Sequence, residues 1–200
     1  MVRLVAAIIL FNVQLVYAAE CTRNIPGHYI DRFTVNFDGT VFDDKTGLTW
    51  MRCDLGVNWN NVTQNCEFDY DEQLLRLPTK LTWQEALEKT REFNISGGLA
   101  NANDWRLPNI KEIASIQDLG CVTASSTNIG GYDLAIDNDV FLFPGAYYWS
   151  STPARLKLGT SATTPKAWKM NFKVNNFNIE ASEINTKQNV RLVRGTSTKF

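Results

Sequence analysis

The stretch GTVFDDKTGLTWMRC, residues 39–53, decides how this chain is read. Asp38-Gly39 is a hairpin turn signal, and Val41-Phe42 follow it at once. A second turn signal, Asp44-Lys45-Thr46-Gly47, leads directly into Leu48-Thr49-Trp50-Met51. Two turns flanked by β-branched and aromatic residues predict antiparallel strands. On the N-terminal side Phe33, Val35 and Phe37 alternate with polar residues, which predicts one more strand. On the C-terminal side Cys53 opens an Asn-rich segment (Asn58, Asn60, Asn61, Asn65) that turns back towards Cys66.

Further along, the period changes from two to 3.6. Thr82 is an N-cap with Glu85 three residues later, a capping box. Trp83, Ala86, Leu87 and Thr90 form one helical face, with Glu85 and Lys89 paired on the other. Gly97-Gly98 lies just past its end. A second helix is capped by Asn109, again with a glutamate, Glu112, at the third position. Ile110, Ile113 and Ala114 face inward, with Ile116 beside them. Between residues 120 and 147 Ser, Thr, Asn and Gly abound, which predicts a long loop region. Three strands are expected to follow, at 147–151, 167–174 and 190–194. Strands, two helices, a long loop and further strands make an α+β class.

Six motifs mark this layout: the opening stretch, TWQEAL (82–87), DWRLPNIKEI (104–113), YYWSSTP (147–153), AWKMNF (167–172) and VRLVRG (190–195). In this order they resemble the Lcl C-terminal domain family of bacterial secreted proteins, over roughly residues 31–195. The resemblance implies a C-type-lectin-like fold and a role in adhesion. A member of that family forms the tip of a collagen-like surface adhesin that recognises sulfated polysaccharide. This sequence has no collagen-like G-X-Y tract, so trimeric presentation and multivalent avidity are not assured by the resemblance.

The first 19 residues read as a secretory signal. Arg3 supplies the positive start, residues 4–17 the apolar stretch, and Val16-Tyr17-Ala18 the small residues before a cleavage point. Residues 20–200 then form a single exported domain, secreted, periplasmic or held at the cell surface, with no membrane span after cleavage. Four cysteines in an exported chain favour disulfides over metal or thiol catalysis. Three pairings are possible. Cys53–Cys66 is preferred because the segment between them turns back, which leaves Cys21–Cys121. A zinc site lacks C-x-x-C spacing and has only His28 to draw on.

The formal net charge is -1, but its halves differ. Residues 20–150 carry 10 Lys and Arg against 19 Asp and Glu, and residues 151–200 carry 9 against 2. Such asymmetry points to an anionic partner, or to basic residues lying across acidic ones inside the same domain. Trp168, Met170, Phe172 and Val174 alternate with Lys169, Asn171, Lys173 and Asn175. That period of two predicts a buried apolar face, with Lys169, Asn171 and Lys173 on the solvent side. These three, with Arg155 and Lys157, are the candidate ligand-binding residues. Of six tryptophans, Trp50, Trp83, Trp105, Trp149 and Trp168 are expected in the core, and Trp59, in the Asn-rich loop, is the candidate exposed aromatic.

Asp133, Asp137 and Asp139 cluster in the long loop and are candidate calcium ligands, although EF-hand order and the sugar-binding lectin motifs are missing. No other cofactor is expected. Catalysis has little to work with. His28 has no nucleophile elbow, all four cysteines can pair, and no cysteine beyond Cys121 supplies formylglycine-type chemistry. Arg106, Arg191 and Arg194 are expected to bond internally. The reading is a non-catalytic binding or adhesion module for an extracellular polysaccharide, anionic or sulfated, or for a surface protein, able to oligomerise and without a nucleic-acid role. The alternatives are a structural subunit of a surface appendage such as a pilus, and an exported enzyme of unknown reaction.

Overall fold

The structure is a computed structural model that describes residues 32–68, 79–120, 122–123, 133–155 and 164–197. Cys21, Cys121 and Lys157 lie outside the described residues.

The opening stretch folds as its turns predict. Strands β1 (Phe33–Val35), β2 (Thr40–Asp43) and β3 (Leu48–Met51) are antiparallel neighbours. The paired Asn-rich segment forms a small hairpin of β4 (Asn58–Asn60) and β5 (Asn65–Glu67), closed by a Cys53–Cys66 disulfide. Helix α1 (Trp83–Ile95) carries both halves of its capping box: Thr82 accepts from the Glu85 amide, and Glu85 accepts from the Thr82 amide. Helix α2 (Ile110–Ser115) does the same with Asn109 and Glu112. Each cap satisfies amides that have no intrahelical partner. Lys89 pairs with Glu92 at 2.7 Å, not with Glu85, whose carboxylate is engaged at the cap.

The long loop contains two short paired strands, β6 (Val122–Thr123) and β7 (Leu134–Ala135). Strand β8 (Tyr147–Ala154) then pairs with β9 (Lys166–Asn171), and β9 with β10 (Asn178–Glu183), which the sequence pattern did not suggest. Strand β11 (Val193–Arg194) returns to β3, so the first sheet has the order β1-β2-β3-β11 and the second β10-β9-β8. The class is α+β with antiparallel sheets.

Two apolar clusters hold the sheets and helices together. One gathers Trp50, Phe141, Tyr148, Met170 and Phe172 around Ile113 and Ile116 at α2. The other gathers Met51, Trp105, Trp149, Ala167 and Leu192 against Trp83, Ala86 and Leu87 of α1. Strand β9 feeds both clusters, Ala167 to one and Met170 to the other. A strand buried on both faces has no simple solvent side, which is why the alternation over 168–175 misleads. Trp168 is half-buried, not core as expected, and β9 ends at Asn171, followed by a 3-10 turn over Val174–Asn176. Trp50, Trp105 and Trp149 are fully buried, as expected, and Trp83 is half-buried. Among the described residues no helix is long and apolar enough to cross a membrane.

Candidate functional site

Tyr147 opens β8, directly across from Asn171 of β9. Its ring collects two cations. The Nζ of Lys169 lies 4.3 Å from the ring centroid and that of Lys173 lies 5.0 Å away. Ammonium groups at this range are attracted by the ring quadrupole. Glu180, across from Lys169 on β10, stands 3.3 Å from that ammonium. Lys169 is therefore no free surface lysine: its side chain is only 13% exposed. Lys169 thus divides its charge between the tyrosine ring and Glu180.

Asn171 was expected on the open face beside the lysines, and here the structure corrects the reading. Asn171 is fully buried. Its Nδ2 donates to the Asn176 carbonyl at 2.6 Å and to Glu180 at 2.9 Å, and its Oδ1 accepts from the Lys173 amide at 3.1 Å. The amide thus fixes the turn after β9 and aims Glu180, and it cannot meet a ligand directly.

Behind Tyr147 lies a polar network wholly inside the core. Arg191 donates to Asp54 at 2.7 Å and to the backbone carbonyls of Met51 and Arg52. Asp54 also accepts from Tyr148 at 2.9 Å and from Asn189 at 2.9 Å. The Gly145 amide donates to the Tyr148 hydroxyl at 2.7 Å. Burial pushes the Asp54 carboxyl up, and Arg191, Tyr148 and Asn189 pull it back only in part. Burial and the Asp54 charge push the Tyr148 hydroxyl far up, so it stays a donor. The network fixes the site from behind: the Asn189 amide donates to the Tyr147 carbonyl at 3.0 Å, and the Trp149 amide to the Asn189 carbonyl at 3.1 Å.

The other sequence candidates are dispersed. Trp59 is half-buried. It packs on Gly39, where a β-carbon would come within 2.6 Å of the indole, and under the Arg52 guanidinium at 5.4 Å. It locks two hairpins together and is not an open platform. Arg155 is exposed just past β8. In the acidic loop, Asp137 accepts from the amides of Asp139 and Val140, capping a turn. Burial pushes its carboxyl up, with a further push from Asp139 and Asp118. Asp133 and Asp139 are exposed, and among the described residues no three acidic, His or Cys side chains gather in a metal-holding group. The basic half does lie partly across the acidic half, through Arg191–Asp54 and Arg194–Asp104. Arg106 also bonds internally, forming a two-pronged pair with Glu112 at 2.8 Å and 2.8 Å.

Two clefts flank α1. One, of about 510 Å³, is mainly apolar and is lined by Met51, Leu55, Val57, Leu81 and Phe93, with Lys89 and Glu92. The other, of about 360 Å³, lies between α1 and the segment 105–107.

The model of the Lcl C-terminal domain family matches residues 39–194, from the first hairpin glycine to the end of β11. The chain belongs to this family. No curated protein matches it significantly. In this Lcl C-terminal domain the matched span contains the whole Tyr147–Lys169–Lys173–Glu180 cluster and the buried network behind it. Sequence reading found the two lysines but missed Tyr147 and Glu180. Nothing in the pattern singled out Tyr147, because its neighbours Tyr148 and Trp149 are both buried, one in each apolar cluster.

Proposed function

We propose that this protein is an exported, non-catalytic binding module of C-type-lectin-like fold, and that it holds an anionic polysaccharide at the Tyr147–Lys169–Lys173 cluster. The carrying observation is the convergence of two ammonium groups on one aromatic ring. A sulfate or carboxylate on a sugar finds two cationic donors there, and the ring edge offers an apolar neighbour for the sugar itself. Glu180 tempers the charge, so single contacts are weak and binding depends on several sulfates along one polymer. The non-catalytic reading is supported by the fate of the fully buried titratable groups. Asp54, Tyr148 and Arg191 bond to one another in the core, with only the Arg191 Nε left without a partner, and they line neither cleft. Family membership supports a role outside the cytoplasm, with residues 1–19 removed on export.

The test is a pair of polymers, dextran sulfate and unsulfated dextran, passed over immobilised protein. Dextran sulfate is expected to bind and dextran to fail. Exposed ionic contacts are screened over about 8 Å at physiological salt and about 3 Å at 1 M, so binding is expected to disappear at high salt. Lys169→Gln with Lys173→Gln is expected to weaken it about tenfold. Glutamine is the right replacement, because Lys169→Glu would set a second carboxylate against Glu180. Equal binding of both polymers, or full binding by the double variant, would remove this cluster as the site.

A structural subunit of a surface appendage is the second reading. Phe37 and Val62, 81% and 92% exposed at neighbouring hairpin tips, favour it. The tips are tied together by Gln64, whose Nε2 donates to the Phe37 carbonyl at 3.2 Å. That reading expects a protein partner and no affinity for free polysaccharide.

A further inference from the structure

The cleft of about 360 Å³ beside α1 is lined by Leu87, Thr90, Arg91 and Asn94 from the helix, and by Trp105, Arg106, Leu107 and Ser151 opposite. Its size falls in the range of small-ligand sites. Its chemistry is one-sided: two lining residues are arginines and none is acidic. The neutral polar groups are already committed. The Asn94 side chain donates to the Trp105 carbonyl at 2.7 Å and accepts from the Trp105 amide at 3.0 Å. Thr90 donates to the Ala86 carbonyl at 2.6 Å. These bonds stiffen the walls and leave the Arg91 guanidinium as the polar feature open to a ligand.

The two arginines differ usefully. Arg106 is part of the wall: its terminal N–H groups all go to Glu112 and to the Leu107 and Gly195 carbonyls. Arg91 is exposed and, among the described residues, has no ion-pair partner. The Arg91 guanidinium beside Leu87, Leu107 and Trp105 presents one cationic fork above an apolar floor. Guanidinium matches a carboxylate or sulfate through two parallel hydrogen bonds, and the floor takes an apolar body. We infer that this cleft is a second binding site, separate from the Tyr147 cluster, for a small organic anion carrying one carboxylate or sulfate on an apolar body.

The probes are benzoate, phenyl sulfate and the uncharged benzyl alcohol, titrated by calorimetry into the full folded protein, with the Trp105 indole resonance followed in parallel. Saturable binding of benzoate or phenyl sulfate, a shift at Trp105 and no binding of benzyl alcohol are expected. The tighter of the two anions identifies the head group. Arg91→Ala, on an exposed helix position, is expected to weaken binding at least about tenfold, the loss typical of one charge-assisted contact. Lys173→Gln is expected to leave the affinity unchanged, which separates this site from the polysaccharide cluster. Failure of both anions to saturate, equal binding of benzyl alcohol, or unchanged affinity in Arg91→Ala would overturn the inference.

Discussion

Arg32 and Asp43 form a two-pronged pair at 2.7 Å and 2.6 Å, and Arg32 reaches on to the Ser115 carbonyl at the end of α2. Burial alone would raise the Asp43 carboxyl. The hydrogen bonds from Arg32 and Thr46, with the Arg32 charge, outweigh it and hold the group below its usual range. The folded state therefore binds fewer protons here than the unfolded chain. Its stabilisation is complete above the unfolded value of about 3.9 and is lost as pH falls through the lower folded value. Urea unfolding between about pH 4 and pH 2 is expected to show stability falling with pH, and Asp43→Asn is expected to flatten that slope. An unchanged acid slope in Asp43→Asn would assign it to other carboxylates. Arg191 calls for the opposite experiment, at neutral pH. Arg191→Met leaves the Asp54 carboxylate buried without its cation, a loss of roughly 3–5 kcal/mol. Asp54→Asn is expected to cost stability as well, and the double variant less than the sum, because the two share one network.

Among the elements, the second sheet shows how packing overrides pattern. Strand β9 lies between β8 and β10 and contributes to both apolar clusters, so residues of both parities are buried. Trp105 sits inside the α1 cluster, its indole donating to the Ala102 carbonyl at 3.0 Å, whereas Trp168 is only half-buried. Trp105→Ala is expected to cost roughly 3–5 kcal/mol and Trp168→Ala less than about 2 kcal/mol. Equal losses in denaturant midpoint would mean that Trp168 is core after all. The hairpins depend on a different constraint. Gly39 has φ of +85°, and any side chain there would strike Trp59. Gly39→Ala is expected to lower the melting temperature by straining the turn and parting the β2 and β4 hairpins, an effect that Gly47→Ala, with open space around it, shares only through its φ of +74°.

At the scale of the molecule, the acidic and basic halves meet in two ways. Arg191–Asp54 is buried at both ends, while Arg194–Asp104 is exposed at 38% and 56%. Buried pairs are screened little by salt, and exposed ones contribute little at any salt. Raising salt to about 1 M is therefore expected to change stability in urea by less than about 1 kcal/mol while abolishing dextran sulfate binding. A large loss of stability in salt would show that exposed pairs hold the halves together.

The sequence by itself determined the local decisions. Both capping boxes, the two hairpin turns and the Cys53–Cys66 loop were legible because each rests on residues close along the chain, and the family was legible because its motifs keep their order from residue 39 to residue 195. The clustering of Lys169 and Lys173 was legible, like the turns, from closeness along the chain. Only the tertiary structure decided what surrounds them. Asp54 and Arg191 are 137 residues apart, and nothing near either one announces the other. Asn171 reads as a surface amide until the turn at Asn176 and the neighbouring β10 bury it. Glu180 reads as a lone acid until pairing sets it beside Lys169. Burial and electrostatic partnership arise from contacts between distant segments, which a period along the chain does not encode.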